Sequence, residues 1–399
     1  MAIELFGKKY TKEEILKRIG DFSQLGGIRS FEFDDGLRKG VRAVDFINPN
    51  GLFFTVLPDR ALDISFASFK GIPFCWRSAT KEASAVYFEH KKNEWLRTFF
   101  GGLLATCGLA QVGDPCVDDG EELGLHGRIT NIAAENVLAD EEWVGDDYVM
   151  WVQGKIREVS SLGHKLVLKR KISTTLSKAQ ILIEDTVENI GNSKSPFMIL
   201  YHLNFGFPLL DKNSKLIMGN SKTFTGFNEE SQRQDNVRNI PNCTEPIKNF
   251  KDQVFKHDIE PDKDGFCNVA FVNPELSINS FAGKITSDLI SDISDISTDK
   301  INSSKNSSTA EDELNCGFGI GISYLKETLP YLTQWKKFDE VEYVTGIEPS
   351  NCFVRGRAIE KKEGGVKYIE PGQKIEMILR LQILANNKQI AEFRKTYNI

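Results

Sequence analysis

Histidine, methionine and tryptophan each occur only five times in these 399 residues, and cysteine seven times. The cysteines (75, 107, 116, 243, 267, 316 and 352) are scattered. The closest pair, Cys107 and Cys116, is nine residues apart, so there is no C-x-x-C and no zinc-ligand spacing. An odd, dispersed set reads as reduced thiols, which suits a cytoplasmic chain. An excess of positive charge is also missing: 50 Lys plus Arg stand against 56 Asp plus Glu, a net charge of −6. Binders of nucleic acid or of anionic membranes need a basic surface, so neither partner is expected. No apolar run nears the roughly 20 residues that span a bilayer. The N-terminus carries Glu4 and no apolar core segment, so no secretory signal is expected. The motifs G-x-x-x-x-G-K-[ST], H-E-x-x-H and G-x-S-x-G are absent. Gly317-Phe-Gly-Ile-Gly-Ile322 lacks the third glycine spacing of a dinucleotide loop and reads as a strand.

What is present is an ordinary globular composition, 40% hydrophobic and 27% charged. Length alone allows two or three domains. The pattern along the chain favours one. Thr11-Lys-Glu-Glu14 is a capping box ahead of Ile15, Leu16 and Ile19, which predicts a short helix over 11–20. Thereafter strand signals dominate. Residues 51–57 are β-branched and aromatic, 165–175 and 180–189 flank a turn, and 374–383 alternate after Pro371-Gly372. These features predict an all-β fold, a large antiparallel β-sandwich with a short N-terminal helix, forming a single domain over 1–399. One stretch differs. Ser287–Asp312 holds eight serines and five aspartates and no aromatic residue. Such a segment buries too little apolar surface to offset its ordering entropy, so 283–315 is expected to be a mobile insert.

Four places could carry chemistry. In Leu200-Tyr-His-Leu-Asn-Phe-Gly206, a period of two puts His202 and Asn204 on one face and Tyr201, Leu203 and Phe205 on the other. A buried, satisfied histidine is an equal reading. In Leu123-Gly-Leu-His-Gly-Arg128, His126 and Arg128 share a face if the segment is extended. The flanking glycines permit close approach of a ligand or of another backbone. A turn with a surface histidine is the plainer reading. In Tyr343–Cys352, Glu348 ends an apolar strand before Pro349, where partial loss of water would raise its basicity; an exposed strand-end glutamate is the alternative. In Val56–Ile64, Arg60 could pair with Asp63 or offer its fork to ligand hydroxyls; a ligand or site-shaping role is expected for Arg60 and a structural one for Asp63. His90, His164 and His257 lie in charged or turn-like contexts and read as surface residues.

Taken together and in this order, these residues resemble the aldose 1-epimerase (galactose mutarotase-like) superfamily, and within it a bacterial branch of uncharacterised epimerase-like proteins. The likeness rests on Leu57-Pro-Asp-Arg-Ala-Leu-Asp-Ile64, Gly101–Gly108, Leu125-His-Gly-Arg128, Leu200–Pro208, Gln334-Trp-Lys336 and Gly346-Ile-Glu-Pro-Ser-Asn351. It spans nearly the whole chain outside 283–315. Ala61 stands where the branch has glycine, and Arg128 where other members carry a second glycine. The resemblance implies a large antiparallel β-supersandwich whose concave sheet forms an open sugar cleft, with His126, His202 and Glu348 as the working groups. Glu348 is then the base at the anomeric hydroxyl, His202 the acid at the ring oxygen, and His126 a transition-state partner. Arg60, Asn204, Arg128 and Trp335 are expected to bind substrate, Trp335 as an aromatic wall. No metal and no cofactor is implied. Two other readings remain: a non-catalytic sugar-binding or sensing protein, or a different sugar isomerase, lyase or hydrolase. A hydrolase needs a second carboxylate opposite Glu348, and Asp63 and Glu122 are poor candidates.

Overall fold

In the computed structural model, residues 2–224, 228–233, 242–278 and 316–399 are described. The expected insert at 283–315 lies outside them. Among the described residues the chain is built almost entirely from antiparallel strands in two large sheets. The first has twelve strands, two of which, Ile72–Pro73 and Lys367–Ile369, lie off its main path against Asp63–Phe69 and Ser195–Gly206. Its path runs from Ser221–Phe224 through Gln253–Ile259, Tyr331–Phe338, Tyr343–Ser350, Ser195–Gly206, Leu104–Leu109 and Asp63–Phe69 to Leu52–Leu57, Arg42–Ile47 and Gly27–Glu32. The second has eight strands, beginning with the meander Glu135–Val144, Asp147–Val159, Lys165–Thr175 and Lys178–Asn189. It continues through Lys374–Leu384, Phe318–Leu325 and Phe266–Asn273 to Lys215–Met218.

The hairpin predicted over 165–189 is present, closed by Leu176 and Ser177, with Thr175 paired to Lys178. The Gly317 segment is the strand Phe318–Leu325, as its alternation predicts. The N-terminal helix is shorter than expected, Lys12–Leu16, with both halves of the capping box formed. Lys17 ends it, because only Ile15 finds a buried seat. Such a cap is worth about 1 kcal/mol, which a single buried side chain barely supplements. A second helix, Asn387–Tyr397, escaped the sequence reading. Asn386 caps it through the Gln389 amide at 2.9 Å, and Ile390 and Phe393 are buried.

Period-two alternation decides what each face of the twelve-stranded sheet meets. Along Ser195–Gly206, Ile199, Tyr201, Leu203 and Phe205 point between the sheets into the main core. There they join Ile156, Leu168, Ile183 and Leu379 of the opposite sheet. Phe205 stacks on Phe271 with ring centroids 5.4 Å apart. Each such buried phenylalanine contributes about 2–3 kcal/mol. The other face carries a smaller apolar cluster that includes Trp95, Phe99, Phe100, Ala105, Cys107, Leu200 and Cys352. It seats the segments 74–103 and 110–131 over the sheet. The candidate site forms where this covering stops.

Candidate active site

His202 and Glu348 meet because of register. Leu203 pairs with Ile347 and Asn204 with Gly346. On the neighbouring strands Thr333 pairs with Glu348, and His202 with Ala105. Ala105, His202, Glu348 and Thr333 therefore form one row on one face of the sheet. His202 Nε2 lies 3.2 Å from Glu348 Oε1, both side chains nearly withdrawn from solvent at 6% and 2% exposure. The approach lacks hydrogen-bond geometry, and Glu348 Oε1 and His202 Nδ1 are left without a hydrogen-bond partner. Gly346 makes the room: a Cβ there would stand 2.0 Å from Glu348 Oε1.

His126 arrives on a turn, not a strand, with φ of +57° followed by +75° at Gly127. The expected shared face with Arg128 is thus absent. The glycines beside it admit backbone, not ligand. A Cβ at Gly124 would meet the His90 carbonyl at 2.3 Å, and one at Gly127 the Gly108 carbonyl at 2.5 Å. The His126 carbonyl accepts from Gly108 N–H at 3.0 Å, and the Gly108 carbonyl accepts from Arg128 N–H at 3.0 Å. Glu158, on strand Asp147–Val159 of the other sheet, reaches over to accept from Leu109 N–H (2.8 Å) and Ala110 N–H (3.1 Å). His126 Nδ1 accepts from Gly113 N–H at 3.4 Å, which leaves Nε2 to carry the hydrogen. The two histidine rings stand edge to face, 5.8 Å apart.

These groups line a cavity of about 230 Å³ together with Trp95, Phe99, Asp114, Asp252, Thr333 and Trp335. Trp335 is edge-on to His202 at 5.5 Å, the expected aromatic wall. Trp95 packs 4.8 Å from His126 and stacks on Phe99, which lies 5.3 Å from His202. Neither Trp95 nor Phe99 was legible in the sequence, because they follow a charged run and sit on short, aperiodic turns. Among the described residues, two larger hollows of about 910 and 550 Å³ lie against the eight-stranded sheet and a third of about 330 Å³ lies beside the C-terminal helix, and none brings a histidine to a carboxylate.

Burial sets the protonation of the site. Loss of water pushes His202 down to about 3, with His126 adding to the effect and Asn204 opposing it. It pushes His126 down to about 4 and holds Glu348 well above the usual carboxylate range. An imidazole of ordinary pKa, protonated at neutral pH as the sequence suggested, is therefore not what the resting site contains. The buried couple favours its uncharged form, with the proton on Glu348.

The remaining expected substrate-binding residues lie elsewhere. Arg60 is fully buried and donates to the carbonyls of Thr130 (2.7 Å), Ala83 (2.6 Å) and Thr98 (2.8 Å). It ties three loops together and offers nothing to a ligand in the cavity. Arg128 is half-exposed, 3.8 Å from Glu121, beside a separate small crevice. Asn204 supports the wall from behind, donating to the carbonyls of Gly101 and His202 at 3.2 and 3.0 Å. Asp63 pairs with Arg170, not with Arg60. His257, read as a surface residue, is fully buried against Gln334 at 3.2 Å, and His164 lies 3.3 Å from Glu158. Among the described residues no three His, Cys, Asp or Glu side chains come together as a metal site, and no helix is long and apolar enough to cross a membrane.

Residues 38–284 and 295–383 match the family described as "Domain of unknown function (DUF4432)". The chain belongs to this family. The interruption in the match, 285–294, falls in the Ser/Asp-rich segment of this DUF4432 protein. No curated protein matches it. Among solved structures it is similar to a "putative aldose 1-epimerase" from Klebsiella pneumoniae, with a TM-score of 0.77 and 22% identity over 92% of this chain and 86% of that one. It is also similar to a galactose mutarotase-like protein from Clostridium acetobutylicum, with a TM-score of 0.55 and 12% identity over 90% and 99%. The DUF4432 chain thus has the galactose mutarotase-like fold that its motifs resemble.

Proposed function

We propose that this protein is an aldose 1-epimerase-type enzyme that interconverts the anomers of a sugar by ring opening. The observation that carries this reading is the buried contact between His202 and Glu348, 3.2 Å apart, with a nitrogen of one and an oxygen of the other left without hydrogen-bond partners in a cavity walled by aromatic rings. Ring opening needs a base to take the proton of the anomeric hydroxyl and an acid to protonate the ring oxygen. The C1–O5 bond then breaks to give an aldehyde, C1–C2 rotates, and the same steps run backwards close the other anomer. No proton is gained or lost overall, so a couple holding one proton is sufficient.

Before substrate binds, that proton rests on Glu348. A sugar hydroxyl donating to Glu348 Oε1 stabilises the carboxylate, and the sugar's oxygens accept from the imidazolium. Binding thus draws the couple towards its ion-pair form, in which Glu348 acts as base and His202 as acid. His126, with hydrogen on Nε2, donates to a sugar oxygen as charge develops. Each positioned acid or base is worth about 10²–10⁴-fold. The flat apolar face of a sugar ring suits Trp335 and Trp95. The substrate is expected in solution and at no membrane or nucleic acid.

NMR exchange spectroscopy on a panel of aldoses tests this reading. Anomer exchange should accelerate with wild type and not with His202→Asn or Glu348→Gln. Exchange undiminished by both substitutions would falsify the assignment. A second reading, glycoside cleavage, draws on Asp114 and Asp252 lining the same cavity as Glu348. Release of aryl leaving groups from aryl glycosides would favour it instead.

A further inference from the structure

The charge of the cavity bears on which sugars it admits. This inference rests on the reading of the cavity as a sugar site. The lining includes two imidazoles that burial keeps neutral, Glu348, and two further carboxylates, Asp114 and Asp252. Among the described residues it includes no lysine and no arginine. The two arginines expected from the sequence to bind substrate are occupied elsewhere: Arg60 by three carbonyls and Arg128 beside Glu121. Lys256, one strand beyond Thr333 on the same face, has its ammonium over the rings of Phe353 and Tyr331, at 3.6 and 4.3 Å. Asp252 is 3.2 Å from Lys337, but Lys337 is shared with Asp339 at 3.1 Å, so this group keeps a net negative charge. Asp114, at the mouth, feels loss of water with no cation to offset it.

We propose that the cavity is built for one monosaccharide ring that is uncharged or carries an amine, and that Asp114, supported by Asp252, turns away phosphorylated and uronic sugars. Size agrees with a single ring. About 230 Å³ is the room of seven or eight waters at about 30 Å³ each. Charge does the selecting. A phosphate or carboxylate entering here loses water without gaining a cation and meets a like charge at the mouth. An ammonium gains the opposite term. The buried polar atoms without hydrogen-bond partners on His202 and Glu348 offer a polar occupant groups to bond. The two mouth carboxylates restrict which one.

The test is a thermal-shift and NMR anomer-exchange panel at low salt, comparing a neutral aldose with its 2-amino, 6-phospho and uronic forms. Wild type should bind the amino form at least as tightly as the neutral one and both charged acids more weakly. Asp114→Asn should narrow that gap by about three- to tenfold, and Asp114→Asn with Asp252→Asn should narrow it further. Both positions are exposed, so folding should be retained. Raising salt should shrink the gap in wild type and much less in the double variant, because exposed charges are screened; a purely steric wall would show no salt effect. A phosphorylated or uronic sugar bound more tightly than its neutral parent at low salt would overturn the proposal. The two readings fail separately. Selective binding without faster anomer exchange overturns the epimerase reading alone. Faster exchange of a phosphorylated sugar overturns the charge selection alone.

Discussion

Tyr201 and His202 are neighbours on one strand, yet they serve two buried polar clusters of opposite construction. The Tyr201 hydroxyl donates to Asp185 at 2.7 Å, between the sheets. There Arg170 bonds Asp185 (2.7 Å), Asp63 (2.8 Å), Thr106 Oγ1 (2.9 Å) and the Ala61 carbonyl (3.1 Å). Asp63 also accepts from the Thr106 amide and from the hydroxyls of Thr106 and Thr130. Its residues come from both sheets, so this network ties them together. On the opposite side of the same strand, His202 and Glu348 are as deeply placed but keep buried atoms without hydrogen-bond partners. Burial with every partner supplied makes structure. Burial with partners withheld leaves a site that a ligand completes.

Four experiments probe that contrast, in order of expected size. His202→Asn or Glu348→Gln should cut anomer exchange by about 10²–10⁴-fold while leaving the unfolding midpoint unchanged or slightly raised, since each removes an incompletely satisfied ionisable group. Asp185→Asn should do the reverse, costing about 3 kcal/mol of stability, because Arg170 keeps Asp63 but loses its bidentate carboxylate and Tyr201 loses a charged acceptor. Urea unfolding reads this directly, and a loss below 1 kcal/mol would mean the network is not what joins the sheets.

The third experiment is a pH titration of stability. His126, His202 and His257 are held at about 4, 3 and 4 in the fold, against about 6.5 when unfolded. Between pH 6.5 and 4 the unfolded chain binds more protons. Stability should therefore fall as pH drops through that window, by at least about 2 kcal/mol. Glu348 acts in the other direction. Its raised folded pKa adds stability below about 4.5 that is lost as pH climbs through the folded value. Glu348→Gln should remove that alkaline loss, and a midpoint flat from pH 7 to 4 would contradict the histidine burial. The smallest effect is expected at Ala61, whose φ of +54° lies in the left-handed region that favours glycine. Ala61→Gly should raise stability by about 0.5–1 kcal/mol in the same unfolding experiment.

Much of the fold was legible because strand pairing and two-fold alternation are local properties. Residues 165–189 announce their hairpin, and Leu200–Gly206 announces its two faces. Glu348 and His202 were legible as candidates, since polar groups on apolar strands stand out. Arg60 was not. Its three acceptors lie 23, 38 and 70 residues away, and no short-range pattern separates a fork filled by carbonyls from one open to ligand. His257 was misread for the same reason, because its flanking charges lie on the opposite face of its strand. Trp95, Phe99 and Asp114 come from irregular segments whose placement depends on the second apolar cluster, which has no period to detect.

Glu158 gives the architecture a mechanical aspect. It belongs to the eight-stranded sheet, yet it grips the 108–110 turn from which the His126 turn is suspended. Both histidines are mounted on the twelve-stranded sheet, His202 within a strand and His126 through Gly108, and the eight-stranded sheet reaches the pair through Glu158. Loosening of the Glu158 contact should therefore reach the His126 turn before any strand is lost. Mild denaturant should then silence a working site while the sheets remain intact, so that loss of activity runs ahead of loss of structure.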